Sequence, residues 1–160
     1  MEVFTPSVIT IYGYAHTVIS VLTMIAGLWA LYDAGRFSGQ RPSGTAFYGL
    51  SLIGIVTGVT IFHHGGFGPG HGLSGVMLVL LAIAYFSSRS GRWLWEVIAA
   101  SFLYFLIWFF ATTETLTRVP IDHPYASSPV DPALIPVRGI LLLITLALIY
   151  LQYRNAKLVR

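Results

Sequence analysis

Ile61-Phe62-His63-His64-Gly65-Gly66-Phe67-Gly68-Pro69-Gly70-His71-Gly72-Leu73-Ser74 joins two strongly apolar runs, and three of the chain's five histidines fall within nine of its residues. A connection built of glycine and one proline turns tightly and carries no fixed charge. Apolar runs on both sides of such a turn read as a helical hairpin in a membrane, with imidazole as the turn's only titratable chemistry. A histidine near lipid is costly without a partner, so a cluster at a membrane mouth is a candidate functional site.

Composition extends this reading to the whole chain. Of 160 residues, 56% are hydrophobic and 9% charged, and the mean hydropathy is +0.76; soluble domains carry about a quarter of charged residues. The expectation is an all-α integral membrane protein, a five-helix transmembrane bundle forming a single domain over residues 1–160. Five spans of about 20 residues use most of that length and leave no room for a separate soluble catalytic domain. With no cysteine, disulfides, thiolate-held iron–sulfur clusters and covalent c-type haem are excluded. Any metal must rest on histidine, methionine or oxygen. No nucleic-acid signal is present.

The spans are expected at about 7–32, 46–63, 71–86, 93–113 and 134–153. Met1 to Pro6 contains Glu2 and no basic residue, unlike the start of a cleaved signal peptide, so the first run reads as a permanent span. On it Tyr12, His16, Ser20, Thr23 and Gly27 share one face, which should turn into the bundle. In the second span, Gly54 and Gly58 form a small-residue packing face with Ser51 and Ile61. Continued helical phase would bring His64 inward and His63 to the opposite side. In the third, His71, Ser74, Gly75, Leu78 and Ala82 lie on one side. The fourth starts at an aromatic anchor, Trp93 and Trp95; Glu96 reads as an interfacial carboxylate close to Arg89 or Arg92. Residues 114–137, broken by Pro120, Pro124, Pro129, Pro132 and Pro136, read as an ordered cap across the bundle mouth.

Basic residues set the orientation. Loop 33–43 holds two, loop 87–92 two and the tail three, whereas the opposite side has Arg118 and Arg138 against four acidic residues. Positive charge stays in the cytoplasm, so the N-terminus is expected outside and the C-terminus inside, in a bacterial inner membrane. All five histidines, including His123 in the cap, then fall in the outer half.

Three chemistries suit neutral imidazoles meeting there. Haem b would take axial nitrogens from His16 and His71 or His64, with Arg118 and Arg138 for its propionates. Copper or zinc would use His63, His64, His71 and His123, with His16 as a further donor. A quinone would need one histidine and a hydroxyl or carboxylate, for which His16 with Tyr12 or Glu114 suffices. Glu114 and Arg118, at i and i+4, fit a plain surface ion pair. The rival class is a non-catalytic accessory subunit of a larger respiratory or photosynthetic complex, packed against other membrane subunits.

His16, then Gly27-Leu28-Trp29-Ala30-Leu31, a glycine-bearing second span, His71-Gly72-Leu73-Ser74 and Ala82-Ile83-Ala84-Tyr85-Phe86-Ser87-Ser88-Arg89 together resemble small bacterial membrane proteins of the cytochrome b561-like kind, over roughly residues 10–92. The resemblance implies haem b held by histidines and electron transfer in the membrane, with His16 and His71 the positions that carry over. Where a histidine would open the second span, this chain has Gly44-Thr45-Ala46-Phe47. The resemblance therefore does not extend to a second, inner haem or to a transmembrane electron path.

Overall fold

The computed structural model describes residues 6–60, 69–120 and 122–158, with side chains over 13–60, 70–120 and 122–157. Five α-helices account for most of them: α1 Pro6–Ala34, α2 Pro42–Val59, α3 Pro69–Arg89, α4 Trp93–Leu116 and α5 Ile135–Leu158, the last led in by a 3-10 turn at Pro132–Leu134. Each contains a stretch long and apolar enough to cross a membrane. Helix is the form such sequences adopt there, because it satisfies every backbone N–H and C=O within the segment.

The helix ends follow local chemistry. Gly35 (φ 63°) and Gly91 (φ 68°) adopt the left-handed conformation that stops α1 and α3. Pro42 occupies the first turn of α2, where its missing N–H costs nothing, so α2 begins four residues before the expected 46. It ends at Val59, with Thr60 as its C-cap, before the expected 63.

Helix α1 packs on α2, α2 on α3, α3 on α4, and α4 back on α1, closing a four-helix ring; α5 lies outside it, packed on α4. The ring closes between α1 and α4 at Gly27, where a Cβ would collide with the Tyr104 ring and where the Tyr104 hydroxyl donates to Met24 O at 3.0 Å. Of the stripe expected to turn inward on α1, Thr23 and Gly27 are buried and His16 and Ser20 half-buried, and Ala26 and Ala30 are buried beside them. On α2, Ser51 is buried and Gly54 lies against Ile19 and Thr23.

On α3 the side that carries His71, Leu78 and Ala82 is not the one that fills the ring. Leu78 and Ala82 are exposed, and Met77, Leu81, Ala84 and Ser88 point inward. The larger apolar side chains fill the ring, while the small-residue side meets no close neighbour at Gly75.

The core is densest at the end that carries the basic loops, called here the basic end. There Phe37, fully buried in the α1–α2 loop, stacks on Phe47 at 4.9 Å and meets Tyr104 edge-on at 5.6 Å. Most other large apolar side chains of the helices face outward, among them Val18, Ile25, Val79, Leu143 and Tyr150. An apolar exterior around a small core is what a lipid environment requires of a multi-pass integral membrane protein.

Beyond α4 the cap segment is pinned. Ala126 is buried and its N–H bonds Leu116 O at 3.0 Å. Asp131 accepts from the Ser127 N–H (2.8 Å), the Ser127 hydroxyl (2.7 Å) and the Ala133 N–H (2.9 Å). These bonds hold down the Asp131 carboxyl, to about 2, the Ser127 hydroxyl contributing most.

Candidate functional site

At the other end, the C-terminal turns of α2 lie against the first half of α1. His16 faces α2 there. Its Nδ1 lies 3.0 Å from Thr57 Oγ1, its Nε2 is 3.5 Å from Ser20 Oγ, and a Cβ at Gly58 would sit 3.2 Å from its Cε1. Glycine at 58 lets the imidazole lie against the α2 backbone. Thr57 Oγ1 also lies 2.9 Å from Ile53 O and 3.0 Å from Gly54 O. A hydroxyl has one hydrogen. Directed at those carbonyls, it leaves oxygen lone pairs for His16, so Nδ1–H donates and Nε2 carries the lone pair. The carboxylate of Glu114, near the end of α4, is within electrostatic reach of the ring.

His71 sits in the first turn of α3, half-buried, with its Nε2 shielded from solvent. His123 is exposed in the cap. The expected inward His64 and outward His63 fall outside the described residues, as does the side chain of Tyr12. Among the described residues, no three histidine, aspartate or glutamate side chains gather as a metal-holding group.

The two arginines assigned to haem propionates have other contacts. Arg118 pairs with Glu114 at 2.5 Å, both side chains more than half exposed, which is the surface ion pair expected of their spacing. Arg138 Nη2 donates to Pro129 O and lies 3.5 Å from Thr113 Oγ1, with its guanidinium 4.6 Å from the Phe109 ring centre. It fastens the cap to α4 and α5.

The basic end holds a polar cluster that the sequence reading missed. Glu96 is buried in the bundle, and its partners are neither Arg89 nor Arg92. It accepts from Gly39 N at 2.6 Å and the Tyr48 hydroxyl at 3.2 Å, and Arg36 Nη1 stands 3.9 Å from its Oε2. Beside it Gln152 of α5, also buried, accepts from Phe37 N at 2.9 Å and donates to Ser101 Oγ at 2.9 Å. Ser43 donates to Asp33 at 2.7 Å. These bonds sew the 35–41 loop into the ring.

Gly44 and Phe47, where the b561-like pattern would place a histidine, are filled positions. A Cβ at Gly44 would strike the Ser38 carbonyl, and Phe47 is buried among aromatic rings. No family model, curated protein or solved structure matches the chain.

Proposed function

We propose that this is a small redox-associated membrane protein whose histidine end binds haem b or a quinone. One observation carries the reading: the His16–Thr57–carbonyl chain of bonds, which orients the imidazole and leaves the Nε2 lone pair, 3.5 Å from Ser20 Oγ, outside that chain. Ligating histidines are commonly held in this way, the second ring N–H donating to a fixed acceptor. The same lone pair can hold a haem iron or accept the hydroxyl proton of a quinol. When bound, the group supplies one-electron chemistry. His16 fits as one donor; His71, in the first turn of α3, is the second histidine of the reading, and His64 is its alternate. The protein is read as lying in a bacterial inner membrane with the histidine end outside, following the distribution of arginine and lysine.

The test is purification with an absorption spectrum and lipid-quinone extraction, on the wild type, His16→Ala and Thr57→Val. The expected result is a Soret band or a co-purifying quinone that His16→Ala abolishes and Thr57→Val weakens by roughly ten-fold or more. Equal ligand retention in His16→Ala would overturn the reading.

A second reading, an accessory subunit of a larger membrane complex, draws on α5. That helix packs chiefly on α4 and presents Ile140, Leu143, Leu146 and Tyr150 outward. A colourless protein that co-purifies with larger subunits would favour it.

A further inference from the structure

A cavity of about 450 Å³ opens at the basic end, lined by Arg36, Arg41, Gln40, Ser88, Glu96 and Asn155 among others. We propose that it binds a phosphate group, carried by an anionic lipid headgroup or as free phosphate. Two of its lining residues each hold a buried donor atom without a hydrogen-bond partner: Arg36, whose Nη1 stands 3.9 Å from Glu96 Oε2, and Ser88, through its Oγ. Burying such donors is unfavourable unless an acceptor reaches them. The acceptor must be anionic. Two guanidiniums line the cavity against one carboxylate, and that carboxylate already accepts from Gly39 N and the Tyr48 hydroxyl.

Arg41 is exposed; its backbone N–H bonds Ser38 O and its C=O accepts from Thr45 N, so the guanidinium can close on a ligand without disturbing the fold. Guanidinium and phosphate match in geometry and charge. The cavity is far larger than one ordered water needs and has room for a headgroup. Trp93, at the start of α4, also lines it, and tryptophan marks the headgroup level of a membrane.

The experiment uses the full chain in phosphate-free maltoside micelles, with phosphatidylglycerol, inorganic phosphate or uncharged diacylglycerol added. Binding is followed by native mass spectrometry and by the thermal midpoint. The expected result is one bound phosphatidylglycerol and a raised midpoint, with affinity reduced about ten-fold in both Arg41→Gln and Ser88→Ala. The ligand-free midpoint of Ser88→Ala should equal or exceed that of the wild type, because the hydroxyl removed has no partner. A response to inorganic phosphate as well would identify a soluble anion as a ligand; a response to the lipid alone would identify the headgroup. No response to either probe, diacylglycerol acting as well as phosphatidylglycerol, or wild-type affinity in either variant would overturn the proposal.

Discussion

The hydroxyl of Tyr48, on α2, donates to Glu96 Oε1, on α4, across 3.2 Å, joining helices that face each other across the ring. Since Oε1 also receives Gly39 N, one carboxylate oxygen ties together two helices and the loop between α1 and α2. Replacing Glu96 by alanine strips an acceptor from two buried donors and a partner from Arg36, and should cost about 3 kcal/mol. Thermal unfolding in detergent, followed by circular dichroism, would show a clearly lowered midpoint. A midpoint within one degree or so of the wild type would mean that the bonds carry no net stability.

Gly44 and Gly49 lie on the same helix, and they should respond oppositely to alanine. At Gly44 the added Cβ meets the Ser38 carbonyl, whereas at Gly49 nothing lies within 4 Å. Gly44→Ala is expected to destabilise by about 1–3 kcal/mol through overpacking. Gly49→Ala should be neutral or stabilising by about 0.5 kcal/mol, from helix propensity. Denaturation of the two variants side by side separates contact from propensity.

Asp131 sets a pH limit for the cap. Its carboxyl in the folded protein titrates near 2, below its ordinary value of 3.8. A depressed folded value means the contribution is fully present above about 4 and is lost as pH falls toward 2. Neutral and mildly acidic solutions should leave the cap unchanged. An NMR titration of the Asp131 carboxyl carbon checks this, and Ser127→Ala should move its midpoint up toward the ordinary range. An unchanged midpoint would exclude the serine hydroxyl as the main cause.

The distribution of arginine and lysine predicts that the basic end is cytoplasmic. A reporter active only in the cytoplasm, fused after Arg160, should be active, and the same reporter placed at His123 in the cap should be silent. The reverse pattern would place the histidines inside.

The spans and the inward stripe of α1 were legible because each rests on a local quantity, hydropathy or helical phase. The side of α1 that carries His16 was legible for the same reason: four, seven and eleven residues on, Ser20, Thr23 and Gly27 continue its face. Which side of α3 enters the ring was not legible, because helical phase groups residues without saying which group turns inward; Met77 and Leu81 supply the volume the ring needs. Glu96 was misread because its partners are remote in the chain; Gly39 lies 57 residues away and acts through its backbone N–H, which no side-chain pattern reveals. The one visible hint was a carboxylate in the first turn of a helix whose next fifteen residues are aliphatic or aromatic but for one, Ser101.

Gln152 accepts from an amide made 115 residues earlier and donates to a hydroxyl made 51 residues earlier. In the order of synthesis, Phe37 and Ser101 leave the ribosome well before their common partner exists. Until Gln152 is in place, the Phe37 N–H lacks the side-chain acceptor it has in the folded protein. The helix that lies outside the ring thus supplies the side chain that joins its loop to α4.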